Sequence, residues 1–261
     1  MARRLSKTAH EEFMNYLNSA YLISASLDKA IRDCDEYPFN LPAVIGLTDL
    51  VFHPRVTFLV GENGSGKSTI VEALAVALGF GAEGGSRNLS FATYNTHSSL
   101  HEHMNIVRGV KRPKDGFFLR AESFYNVATA LEKIDGVPDR PPLNASYGGK
   151  SLHRQSHGEA FLSLIRHRFR GNGLYIMDEP EAALSVARQM EFLALIHELT
   201  KKGSQLVIAT HSPIIMSYPN SLIYQVGVEG LQPILYEETE QYQLTRYFLN
   251  NHRAMLSDLL D

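Results

Sequence analysis

The sequence of 261 residues predicts an α/β fold: a mixed sheet flanked by helices, with an antiparallel β portion and a small helical subdomain. Three observations point there. Helices alternate with short apolar strands through the last third of the chain, the pattern of a sheet covered on both faces. The run Arg55-Val-Thr-Phe-Leu-Val60 is β-branched and apolar without alternation, as a strand buried on both sides should be. That strand leads directly into a glycine-rich turn and then an alanine- and leucine-rich helix.

In chain order, Phe13, Tyr16 and Leu17 lie at helical spacing and predict a helix over Ala9 to Ser19, read as an amino-terminal extension covering 1–19. Tyr21 to Leu27 reads as an early strand, and Pro38 and Pro42 interrupt regular structure before the strand ending at Val60. Thr69 to Leu78 is a helix stopped by Gly79, Gly81, Gly84 and Gly85. The middle third is mixed, with a strand at Gly116 to Arg120, a helix over Tyr125 to Ile134 and a loop carrying Gly136, Pro138, Pro141 and Pro142. We read about 88–170 as an inserted subdomain within one domain spanning 1–261. Beyond it come a helix from Glu159 to Phe169, a strand from Leu174 to Met177, and a helix from Glu181 to Leu199. Strands at Gln205 to Ala209, Ser221 to Val226 and Leu231 to Tyr236 precede a final helix.

Composition narrows the function classes. With 44% hydrophobic residues the chain can build one large core, and a net charge of −3 does not provide the broad positive field of a dedicated nucleic-acid binder. The single cysteine, Cys34, excludes an internal disulfide and a Cys-x-x-Cys zinc site, which fits a reducing, cytoplasmic compartment. No apolar run reaches the ~20 residues of a membrane span, so no membrane insertion is expected.

Gly61-Glu62-Asn63-Gly64-Ser65-Gly66-Lys67-Ser68 matches G-x-x-x-x-G-K-[ST] in the strand-to-helix context that the motif needs, with Thr69 following. Glycines let backbone N–H groups converge on phosphate oxygens, and the helix behind adds its positive end. Lys67 would hold the β- and γ-phosphates, and Ser68 would ligate Mg²⁺. Four such positions coincide by chance in roughly one chain of this length per hundred, so the motif is read as an ATP site.

Leu174-Tyr-Ile-Met-Asp178 is an apolar strand ending in a carboxylate, positioned to hold the Mg²⁺ or its water shell, and the adjacent Glu179 is the candidate general base for the attacking water. A third strand ends at His211, a candidate to sense the γ-phosphate or the water.

These residues together resemble the ABC ATPase superfamily, specifically the compact soluble branch related to the heads of Rad50, SMC and RecF proteins. Ser156-His-Gly158-Glu159, 22 positions before Asp178, matches the place of the ABC signature. The resemblance implies that Ser156 and the Gly158 N–H of one copy close on the γ-phosphate held by another, giving an ATP-dependent homodimer. It also implies an ATP-hydrolysing switch or clamp in DNA maintenance or defence, with a nucleic-acid or protein partner. The departures are informative: the D-loop carries Ser185 in place of aspartate, no glutamine closes the strand at Arg120, with Glu122 nearest, and Tyr37 and Phe39 are the nearest aromatic candidates to stack on adenine. Only 89 positions separate Lys67 from Ser156, too few for a long coiled-coil arm.

Other classes were weighed. A transporter's nucleotide-binding subunit is the alternative, and a small-molecule kinase would leave Asp178-Glu179, Ser156 and His211 without a role. His97, His101 and His103 lack a supporting third ligand type for a metal site. Two basic clusters, Lys111-Arg112-Lys114 and Arg166-His167-Arg168-Arg170, are most simply solvated surface.

Overall fold

The computed structural model describes residues 16, 18–31, 34–86, 98–124, 156–227 and 230–260. The elements are β1 (Leu22–Leu27), α1 (Pro42–Ile45), β2 (Leu50–Val51), β3 (Val56–Gly61), α2 (Lys67–Ala77), β4 (Met104–Arg108) and β5 (Asp115–Arg120). They continue with α3 (His157–Arg168), β6 (Gly173–Asp178), α4 (Val186–Lys201), β7 (Gln205–Ala209), β8 (Leu222–Gly227), β9 (Gly230–Ile234) and α5 (Glu240–Leu260).

The main sheet has the order β5-β6-β7-β3-β8-β9, parallel throughout except for β9. Every residue of β3, β6 and β7 is buried, which is why these strands read as unbroken apolar runs. Their side chains still alternate between two layers: Phe58 and Val60 join α3 and α4 through Phe161 and Phe192, whereas Leu59 joins α2 through Ile70 and Leu74. β9 carries Pro233 at the sheet edge, where a missing N–H costs no ladder bond.

A smaller antiparallel sheet, β2-β1-β4, covers α2. Buried Gln205 joins the two sheets: its Oε1 accepts from the N–H groups of Tyr21 and Leu22 at 2.9 and 2.8 Å, and its Nε2 donates to the carbonyls of Leu22 and His53 at 2.8 and 3.0 Å. A buried amide with all four sites engaged fixes this junction.

The parallel register brings the carboxyl ends of β3, β5, β6 and β7 to one edge, with Arg120 opposite Asp178 and Asp178 opposite Ala209. In open α/β sheets this edge is where ligands bind.

Several expectations are corrected. The helix expected from Glu181 starts only at Val186: Pro180–Ala183 form a 3-10 turn, and Leu184 turns extended to bury its side chain. The strand expected to reach Tyr236 stops at Ile234, and Tyr236–Glu238 form a 3-10 turn capped by Glu238. The P-loop helix begins at Lys67 rather than Thr69. α1, β2 and β4 were not foreseen. Of the expected amino-terminal helix only Tyr16, Asn18 and Ser19 are described, and all three are helical. The helix expected over 125–134 lies outside the described residues, and the described β4, β5 and α3 within 88–170 pack into the main layers.

Candidate functional site

Gly61 leaves β3 with φ of +148°, and Gly64 and Gly66 take φ of +79° and +98°, conformations that only glycine adopts without strain. A Cβ on Gly66 would come within 3.1 to 3.3 Å of Ala43 and Leu41, so the segment around α1 backs the loop; the Ala43 N–H also donates to the Ser65 carbonyl at 3.2 Å. Glu62, Asn63 and Gly64 are exposed, and Lys67 is buried. The Lys67 ammonium donates to the carbonyls of Gly61 and Glu62 at 3.0 and 2.6 Å and to Ser65 Oγ at 3.4 Å, capping the concave side of the turn. Burial draws Lys67 below the ordinary lysine value, opposed by the charges of Glu179, Asp178, Glu181 and Glu62.

Asp178 ends β6 with its side chain only 4% exposed. The Ser68 hydroxyl bonds to its carboxylate, while Oδ1 is buried with no hydrogen-bond partner. An orphaned carboxylate oxygen beside a hydroxyl is the donor pair that a hard cation such as Mg²⁺ accepts, so these residues fit the ion expected there. Glu179 follows in the left-handed region, φ +50° and ψ +52°, a strained backbone that its N–H fixes by donating to the Ala209 carbonyl at 3.0 Å. This kink turns Glu179 Oε1 to within 3.3 Å of His211 Nε2. The site thus unites the P-loop, Asp178, Glu179 and His211 from three different strand ends.

Three residues here escaped the sequence reading. Arg120 ends β5 and bridges Glu72 of α2, at 2.6 Å, to Asp178 Oδ2, at 3.3 Å. Glu122 is 80% exposed and lies 3.9 Å from Arg120, so the side chain turned toward the metal carboxylate from this strand end is Arg120 and not Glu122. Glu181 binds the turn after β7 through Thr210 Oγ1, at 2.7 Å, and the His211 N–H, while Gln189 accepts from Ser212 Oγ at 2.6 Å. Glu181 therefore positions His211. An arginine closing the apolar run Phe117-Phe118-Leu119 was the available signal for Arg120; nothing local marks Glu181.

Beside the loop opens a cleft of about 1000 Å³, lined by Pro42, Asn63, Gly64, Gln225 and Tyr247 among others, a size suited to a nucleoside. Of the two aromatic candidates, Phe39 is buried edge-on against His103 at 5.4 Å, which leaves the 67%-exposed Tyr37. His101 Nδ1 pairs with the Ser98 carbonyl at 3.0 Å, so His101 and His103 are each engaged separately, while His97 lies outside the described residues.

Two family models match. One, described as "AAA domain", spans residues 43–129 and contains the P-loop; the other, "AAA domain, putative AbiEii toxin, Type IV TA system", spans 141–217 and contains Ser156, Asp178, Glu179 and His211. Among curated proteins, the thiamine import ATP-binding protein ThiQ of Haemophilus influenzae is 28% identical over 82% of this chain and 96% of its own length. The chain is similar to ABC-type P-loop ATPases in both of its motif-bearing segments. The "Putative ribose/galactose/methyl galactoside import ATP-binding protein 2" of Agrobacterium fabrum is 26% identical over 66% of this chain, which spans only 36% of that relative. The SMC head domain from Thermotoga maritima aligns at 21% identity over 72% of this chain and 93% of that one, with a TM-score of 0.40.

The segment expected to act as the signature opens α3. Ser156 is its N-cap, with a reciprocal capping box to Glu159, which also receives Arg188 Nη2 at 3.1 Å. Ser156, His157 and Glu159 are exposed, while Gly158 is buried: a Cβ there would meet Arg188 Cδ at 2.7 Å and the Ala183 carbonyl at 3.0 Å. Among the described residues, the neighbours of Ser156 and Gly158 are Glu159, Arg188 and Ala183, and no hydrogen bond joins either to the P-loop of the same chain.

Burial raises Asp178 to about 6, despite the opposing Arg120 charge and Ser68 bond. In the metal-free fold the ionised carboxylate is the disfavoured form, so Asp178 costs stability as pH rises from the ordinary carboxylate value to about 6. For cation binding the sign reverses, because a proton on Asp178 removes the charge that Mg²⁺ requires. Mg²⁺ affinity of the nucleotide complex is expected to be full above about pH 6 and to weaken as pH falls through it. A Mg²⁺ titration at stepped pH checks this, and a flat affinity across the interval contradicts it.

Proposed function

We propose that this ATPase hydrolyses ATP with Mg²⁺ between two copies of itself, and that closing and reopening of this dimer is its working stroke. Lys67 and the N–H groups of Gly61 to Thr69 hold the phosphates, Ser68 and Asp178 hold Mg²⁺, and Glu179 takes the proton of the attacking water, with His211 beside it. Mg²⁺, when bound, offsets the charge of the β- and γ-phosphates. The observation that carries the dimer is the exposure of Ser156: an anion-ready helix start that, among the described residues, makes no hydrogen bond to its own P-loop.

The test uses two variants inactive for different reasons, Lys67→Ala and Ser156→Arg. In a two-fold dimer, mixing them leaves one intact site in each mixed pair, so about a quarter of wild-type turnover is expected from random pairing. A mixture as inactive as its components contradicts composite sites.

A transport reading, in which the chain drives separate membrane proteins, is supported by the relatives named as import ATP-binding proteins. Arg120, standing where a coupling glutamine would begin, favours the switch. Co-purification with a polytopic membrane protein would reverse that preference.

A further inference from the structure

Lys111, Arg112 and Lys114 of one basic cluster and Arg170 of the other are brought together with Lys201 and Lys202 at the sheet edge opposite the nucleotide site. β5, β6, β7 and β3 are parallel neighbours, so the turns leading into them lie side by side at their amino ends. Backbone hydrogen bonds stitch these turns together: the Lys114 N–H donates to the Asn172 carbonyl at 2.9 Å, Asn172 N–H to the Lys202 carbonyl at 2.8 Å, and Leu206 N–H to the Arg55 carbonyl at 2.7 Å. Lys111, Arg112, Lys114, Arg170, Lys201 and Lys202 are all exposed, and no ion pair among the described residues engages any of the six. The one carboxylate in these turns, Asp115, is occupied by Arg168 at 2.7 Å and by Tyr175 at 2.8 Å.

Helix dipoles account for part of this charge only. Lys201 and Lys202 lie at the negative end of α4, but Lys111, Arg112 and Lys114 precede a strand and face no helix end. In a chain of net charge −3, with Asp178, Glu179, Glu181 and Glu62 acting together at the opposite edge, such a one-sign row is a concentrated positive field. Two inter-strand spacings make it about 10 Å long. Duplex DNA presents about six phosphate charges along that length.

We infer that this edge binds the sugar-phosphate backbone of a nucleic acid, without base readout. Backbone contact follows from the side chains present, lysines and arginines on short turns, with no helix or ribbon among the described residues of this edge to enter a groove. The inference goes beyond the ATPase reading and stands on different residues.

Fluorescence anisotropy of a 30-base-pair mixed-sequence duplex, without nucleotide and at stepped salt, tests it. Lys111→Glu/Arg112→Glu and Lys201→Glu/Lys202→Glu are each expected to bind at least tenfold more weakly than wild type, with unchanged melting temperature. Each is also expected to have a log–log salt slope shallower by about 2, at ~0.9 per phosphate contact. Arg253→Glu, on exposed α5, is the control and should stay within about twofold. Double variants that bind as wild type, or a control that loses as much, would overturn the inference. So would wild type that ignores the duplex or prefers phosphatidylserine vesicles. Because nucleotide is absent, none of these outcomes depends on the proposed ATP cycle.

Discussion

Glu179→Gln is expected to slow ATP turnover by about two to four orders of magnitude while leaving nucleotide binding intact, the range typical of losing a general base. The substitution keeps shape and size, and the left-handed backbone at this position is held by the N–H bond to Ala209, which the side chain does not affect. What is lost is the charge that would accept a proton 3.3 Å from His211 Nε2. Phosphate release and equilibrium binding of ATP, measured on the same preparation, separate the two effects. Retention of most turnover would show that another group takes the proton.

Lys67→Ala is expected to fail earlier, at binding. The ammonium is the buried cation of the loop, touching two carbonyls of the turn, and the charges of Asp178, Glu179, Glu181 and Glu62 all act on it. Without it, a triphosphate would meet these carboxylates with less compensation. A charge-assisted hydrogen bond contributes about 1.5 to 3 kcal/mol, so ATP affinity should drop roughly tenfold to a hundredfold or more. Titration with a fluorescent ATP analogue reads this directly, and undiminished affinity would count against the whole site.

The parts legible in sequence were those where chemistry forces a local pattern. Glycines at Gly61, Gly64 and Gly66 are demanded by positive φ, and an unbroken apolar run is demanded of strands buried on both faces, so β3, β6, β7 and the glycine loop could be placed to within a residue or so. Arg120 was not legible as a partner of Asp178, because their encounter is a fact of strand register between distant segments. Gln205 and Glu181 were missed for the same reason: a glutamine opening an apolar strand and a glutamate after a proline look ordinary, and only the fold gives the first its four bonds and the second its hold on the His211 turn. Short β2 and half-exposed β4 exist through pairing with β1 and have no strong pattern of their own. The basic edge shows a different failure: Lys111, Arg112, Lys114 and Arg170 were visible, but their adjacency and the part played by Lys201 and Lys202 were not.

The central claim is that ATP closes two copies around the Ser156 and Lys67 sites, and the mass in solution of Glu179→Gln tests it most directly. Light scattering is expected to give the monomer mass without nucleotide and twice that mass with Mg-ATP. A chain that binds Mg-ATP and remains a monomer would contradict the use of Ser156 across a dimer.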